Sequence, residues 1–249
     1  MLRRTEETVT FTDSSESLNV AVNVMLRLFW YNQKKVCGEE TQMYRFLAIF
    51  IDVACAGVIF VPVFLTVRGR ALRRESKLRV CLLLGIGLYF AAVFSVTGIP
   101  DICSLVFEPN FHFLPFTDIV NSPLSYVRNC LLNVVLFVPL GMIAPTLWEK
   151  FRSLRGIALL GFGVSLFIEV SQIFTFRLTD IDDLIMNTAG AALGFLLLRA
   201  FGKKDSKMQP EKNKNEKEKK EFEIMFGAVF LLMFLVTPFL SGIIWEMIL

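Results

Sequence analysis

Six apolar blocks, each 18 to 23 residues long, confine this chain to a membrane. They run Phe46–Val67, Val80–Ile99, Asn129–Trp148, Ile157–Phe174, Leu184–Phe201 and Phe222–Ile244. A helix needs ~20 predominantly apolar residues to cross a hydrocarbon core. Only helices and closed barrels satisfy their own backbone groups there. Composition agrees, with 54% of 249 residues hydrophobic and 25 of them Phe, but the segregation into blocks decides the class. The expected fold is all-α, a polytopic transmembrane helix bundle of about six spans.

Loop charge orients the spans. The stretch after span one, RGRALRRESKLR, holds six basic residues and one acid. The turn after span three sets Lys150, Arg152 and Arg155 against Glu149, and residues 203–221 hold eight Lys and five acids. Simple alternation puts all three on one side, and the positive-inside rule makes that side the cytoplasm. The opposite loops carry Asp101, Glu108, Asp118, Asp180, Asp182 and Asp183, with only Arg128 and Arg177 as cations. Both termini are then external.

The same reading divides the chain into four parts. Residues 1–43 form an extracytoplasmic tail in which Leu18–Tyr31 is too short to span; it either lies in the interface or is irregular. Residues 44–201 are a five-span core. Residues 202–221 are a cytoplasmic linker, charged enough to stay solvated. Residues 222–249 carry the sixth transmembrane helix. MLRRTEETVT lacks the apolar region of a cleaved signal, so span one should be an uncleaved anchor. The loop 100–128 interleaves Pro100, Pro109, Pro115 and Pro123 with Phe107, Phe111, Phe113 and Phe116. It should resist helix formation and lie against the outer headgroups or over the bundle mouth. No internal repeat stands out.

Some chemistries are unsupported. The five Cys form no CxxC pair and the single His is His112, so no metal site of the Cys/His kind is expected, nor any cofactor or nucleic-acid partner. Cys55 and Cys81 read as small packing residues. Cys37 and Cys103 share the expected outer side without a sequence argument for pairing them. No Ser-His or Cys-His pair supports covalent catalysis.

The polar residues that remain gather near one turn. In span four, Ser165, Glu169 and Gln172 follow i, i+4, i+7 spacing and so share a helix face. A carboxylate near the bilayer middle costs ~2.5–3.5 kcal/mol, so Glu169 must face protein, pair with a base or hold a proton. In span five, Asp183 and Asn187 are i, i+4 at the outer end, above a small-residue strip at Gly190 and Gly194. Span three opens with Arg128, Asn129 and Asn133. Asp52 in span one either joins this group or is satisfied locally. Arg pairs can grip phosphate or carboxylate, and clustered carboxylates can bind hard cations or do acid–base work. The plainer reading is that these groups hold helices together, at ~0.6 kcal/mol per polar contact.

These residues carry a family resemblance. The run RNCLLNVVLFVPLG supplies Arg128, Asn133, Phe137, Pro139 and Gly141. S-x-x-x-E-x-x-Q supplies Ser165, Glu169 and Gln172. R-x-x-D-x-D-D-x-x-x-N-x-x-G supplies Arg177, Asp180, Asp182, Asp183, Asn187 and Gly190, with Gly194 beyond. Together they resemble the VanZ-like family of bacterial membrane proteins over roughly residues 85–200. FHFLPF is similar to a further family element, with His112 where Asn is usual. The resemblance implies a multi-pass protein associated with resistance to teicoplanin-type glycopeptides in Gram-positive bacteria; it implies a phenotype rather than a reaction.

Two functions follow. One is a non-enzymatic envelope protein whose outer site (Arg128, Asn133, Ser165, Glu169, Gln172, Arg177, Asp180, Asp182, Asp183 and Asn187) binds an anionic membrane lipid or a cell-wall precursor headgroup. The other is an intramembrane enzyme acting on a phospholipid or polyprenyl-linked substrate, with Glu169 or Asp183 as acid or base and the two Arg as an electrostatic clamp. A transporter would need polar groups through the full depth, and the inner halves of these spans are nearly bare.

Overall fold

The computed structural model of the chain describes residues 40–72, 75–103, 105–107, 111–112, 114–116, 119, 122–175, 179–201 and 212–248. The tail with its Leu18–Tyr31 segment and Cys37, the cation Arg177, and linker residues 202–211 lie outside the described residues. Leu47–Leu249 form one compact unit.

Seven helices are described: α1 (Glu40–Leu72), α2 (Lys77–Thr97), α3 (Pro123–Leu147), α4 (Leu154–Gln172), α5 (Ile181–Phe201), α6 (Lys212–Leu235) and α7 (Thr237–Ile248). The chain is an all-α bundle. Helices α1 to α5 are each long and apolar enough to cross a membrane, and α6 with α7 qualifies as a sixth span bent by 43°. The extended pieces are β1 (Phe111–His112) and β2 (Thr179–Asp180), paired in parallel with Phe111 opposite Thr179 and His112 opposite Asp180.

The sixth span, read from the sequence as one helix, is two helices that meet at a bend. Pro238 has no N–H to offer the Phe234 carbonyl four residues back. That carbonyl accepts the backbone N–H of Ile102 at 3.0 Å. A second loop amide, Val106, donates to Phe174 at the end of α4 at 3.0 Å. These two bonds tie the described start of the 100–128 loop to the ends of α4 and α6.

Two kinds of packing hold the helices. Between α3 and α5 the backbones nearly touch, because Gly141 on one and Gly190 and Gly194 on the other leave no side chain between them. Between α2, α4 and α6 the filling is aromatic. Phe222, Phe226 and Phe230 recur every four residues on α6, and ring centroids lie 5.0 Å apart for Phe90–Phe226 and for Phe167–Phe230. Offset and edge-on rings add ~0.5–1.5 kcal/mol per pair beyond the area they bury.

At the basic end, Arg79 donates to the Leu147 carbonyl and to Glu221, both at 2.9 Å, and Trp148 Nε1 donates to the same carboxylate at 3.1 Å. The linker read as solvated through Glu221 thus stops short of it: α6 starts at Lys212, and Glu221 is a helix–helix contact. Asp52 is satisfied locally, accepting from Ser95 Oγ at 2.8 Å, and does not join the polar group of α3 to α5. Cys55 packs with Ile51 and Trp245 as expected, whereas Cys81 is exposed on the bundle surface.

Candidate functional site

The start of α5 organises the site. Asp180 caps the helix, its Oδ1 accepting the Asp182 N–H at 3.0 Å and so satisfying one of the amides that a helix start leaves unpaired. Asp182 and Asp183 follow in the first turn, where the partial positive charge of the helix end favours them. Asp182 is buried at 4% exposure. Its carboxylate accepts the Phe116 N–H at 3.0 and 3.3 Å and the Tyr126 hydroxyl at 3.2 Å. Phe116 has φ 64°, a left-handed conformation that costs a non-glycine residue on the order of 1–3 kcal/mol. The charge-assisted bond to Asp182 offsets that strain and ties the loop to α5. The β1–β2 bridge brings His112 Nδ1 to 3.7 Å from the other oxygen of Asp180.

Deeper in the bundle the polar residues join helices to one another. Asn133 on α3 donates its amide to Asp183. Glu169 on α4, 4% exposed, accepts the Asp180 N–H at 2.9 Å, and its backbone carbonyl takes the Thr179 hydroxyl. Asn187 on α5 donates to Ser165 on α4 at 2.9 Å, and both are buried. Gln172 donates to the Thr97 carbonyl at the end of α2 at 2.8 Å. The carbonyl oxygens of Gln172 and Asn187 are buried and meet no hydrogen-bond donor among the described residues. Each of these two amides thus uses its N–H group to join two helices.

Above this layer lies a cavity of about 280 Å³ between the first two turns of α3 and the start of α5. Ser122, Ser125, Tyr126, Asn129 and Cys130 line it from α3, and Asp180, Asp182 and Asp183 from the other side. The ten sequence candidates therefore separate. Asp180, Asp182 and Asp183 face the cavity; Asn133 supports Asp183 beneath it; Ser165, Glu169, Gln172 and Asn187 lie in the helix interfaces. Arg177 lies outside the described residues. Arg128 is not brought to the acids. Five residues at ~100° each place it about 140° around α3 from Asn133, on the face formed by Leu124, Val127, Leu131, Leu132 and Val135. The residues missed in sequence are Ser122, Ser125 and Tyr126. They were legible in principle: with Asn129 and Asn133 they form an i, i+3, i+4, i+7, i+11 polar stripe down the outer half of α3.

The cavity offers three carboxylates, several hydroxyl and amide groups and, among the described lining residues, no cation. No group of three or more His, Cys, Asp or Glu is arranged to hold a metal ion among the described residues. Chemically the site suits a ligand that donates hydrogen bonds or carries an ammonium.

Comparison with known proteins bears on the same residues. The VanZ/LLP1 family model matches residues 80–202. Protein VanZ of Enterococcus faecium is 30% identical over 130 residues, 52% of this chain and 71% of that protein. The chain belongs to the VanZ family. No solved structure matches it. The VanZ match runs from α2 to the end of α5, so it contains the whole cavity and the buried amides behind it. Helices α1, α6 and α7 lie outside the VanZ match, although α6 supplies much of the aromatic core.

Proposed function

We propose that this VanZ-family protein is a non-catalytic component of the bacterial cell envelope. Its cavity between α3 and α5 binds the headgroup of a lipid or lipid-linked cell-wall precursor on the outer side of the plasma membrane, and occupancy lowers susceptibility to teicoplanin-type glycopeptides. The observation that carries this reading is the cavity lined by Asp180, Asp182, Asp183, Ser125, Tyr126 and Asn129. Arg128 lies on another face of α3, so the described lining of the cavity offers an anionic headgroup no guanidinium. Carboxylates in a partly dehydrated recess instead favour an ammonium and hydroxyl donors, so the headgroup bound is amine-bearing. External placement rests on the loop-charge asymmetry.

The test uses nanodiscs containing phosphatidylethanolamine, with retained lipid quantified by mass spectrometry, beside teicoplanin susceptibility at matched protein levels. Asp183→Asn and Ser125→Ala should each lower retention and raise susceptibility. Wild-type behaviour in both assays would remove the cavity from the function.

A second reading has one observation in its favour. Tyr126 and Asp182 form a phenol–carboxylate pair beside the cavity, a unit able to pass a proton. An enzyme on a phospholipid or polyprenyl-linked substrate would use it. Turnover by purified protein, lost in Tyr126→Phe, would favour that reading; stoichiometric binding without product favours the first.

A further inference from the structure

The described stretches of the 100–128 loop are stitched to the bundle by their backbone. Ile102 donates its N–H to the Phe234 carbonyl in the last turn of α6, and Val106 donates to Phe174 just past α4, both at 3.0 Å. Phe111 pairs with Thr179 in the β1–β2 bridge. Phe116 donates to Asp182, in the first turn of α5, at 3.0 Å. The side chains beside these bonds go the other way. Ile102, Leu105, Phe107, Leu114 and Phe116 are each between 44% and 68% exposed. At Phe116 a single residue turns its amide to a buried carboxylate and leaves about half of its surface, 49%, outside.

A loop in water does the reverse, tucking apolar side chains under itself and leaving amides to the solvent. Lipid demands the arrangement seen here, because an amide within it has no water to bond. Pro115, between Leu114 and Phe116, has no N–H to satisfy. The stitches also fix the depth. Asp182 is the second residue of α5 and Gln172 the last of α4, and both helices are long and apolar enough to span. The loop is therefore level with the ends of spans, where hydrocarbon gives way to headgroups. We infer that it is an interfacial collar, with its backbone against the bundle and Leu105, Phe107, Leu114 and Phe116 set among the acyl chains of the leaflet at the acidic end. The partner of this surface is the bilayer itself, and the inference holds whatever the cavity binds. Because Asp182 also lines the cavity, the collar holds one wall of the cavity at the depth of that leaflet.

The experiment places one nitroxide at a time on the full chain, in a cysteine-less background, in nanodiscs of phosphatidylglycerol and phosphatidylethanolamine. Power saturation then compares relaxation by oxygen, which concentrates among acyl chains, with relaxation by a water-soluble nickel chelate. Val58→Cys, exposed on the membrane-spanning part of α1, gives the lipid reference, and Glu75→Cys, exposed between α1 and α2, gives the aqueous one. The logarithm of the oxygen-to-nickel ratio should be positive at Phe107→Cys, Leu114→Cys and Phe116→Cys, smaller than at Val58→Cys and opposite in sign to that at Glu75→Cys. The three positions lie on separate stitches, so local disturbance at one leaves the others to report. A negative value at Phe107→Cys or at Leu114→Cys would overturn the collar. So would weak relaxation by both agents, which would show that protein rather than lipid covers the loop.

Discussion

Replacing Gly190 by Ala tests the packing on which the cavity depends. A Cβ at Gly190 would stand 2.3 Å from the Val134 carbonyl oxygen, and one at Gly194 would stand 2.1 Å from that of Val138. Ordinary contact begins at 3.4 Å. The obstructing atoms are backbone and cannot rotate aside, so α3 and α5 must part by about 1 Å. A gap of that size forfeits a quarter to a half of each dispersion contact across the seam. Between membrane helices dispersion is a principal attraction, since lipid tails are as apolar as the side chains. The resulting loss is ~1–3 kcal/mol, or a melting temperature lower by about 2–12 °C at ~2–4 °C per kcal/mol. Intrinsic helix propensity acts the other way, favouring Ala by ~0.8–1.0 kcal/mol. Gly163→Ala isolates that term, because nothing lies within 4 Å of a Cβ there. Thermal unfolding in detergent should show Gly163→Ala at or above wild type and Gly190→Ala clearly below it. A Gly190→Ala protein as stable as wild type would refute the close-approach account, and with it the reason Asn133 reaches Asp183.

Three other outcomes are expected. A double-mutant cycle on Ser165→Ala and Asn187→Ala should give a coupling of about 0.6 kcal/mol and no more than ~1.7; coupling indistinguishable from zero in reversible unfolding would mean the two side chains do not meet. Arg79→Ala should destabilise by ~1–3 kcal/mol, between the values for exposed and buried ion pairs, because Glu221 and the Leu147 carbonyl both lose a donor. Adding Glu221→Gln should recover part of that loss, and a strictly additive pair would count against the contact. In a cysteine-less background, a membrane-impermeant maleimide applied to intact cells should label Ser122→Cys and not Asp205→Cys. The reverse pattern would invert the bundle and end any cell-wall reading.

How far each element was legible depends on what kind of information it needs. The five unbroken spans follow from a property of continuous segments: each must carry enough apolar length for the bilayer, and the chain displays that length directly. The shared face of Ser165, Glu169 and Gln172 was equally visible, since helical period converts spacing into direction, and all three are buried. The break before α7 had a sequence signal in Pro238, but apolar length alone does not register a break within a block. The partner of the freed Phe234 carbonyl was not visible, because Ile102 lies far away along the chain.

By itself, then, the sequence determined that this is a multi-helix membrane protein with polar residues concentrated on α3 to α5, and its motifs pointed to the VanZ family. The tertiary structure decided which of those residues meet. Arg128 and Asn133 look alike in sequence as early polar residues of one span, yet helix rotation sends one to an exposed Leu and Val face and the other to Asp183. Asp182 looked like one acid among several until a strained loop residue, Phe116, and the phenol of Tyr126 closed on it. Hydrophobic length is written along the chain, whereas convergence depends on how each helix is turned about its axis. In this bundle that turn is set by glycines whose missing side chains let two backbones touch.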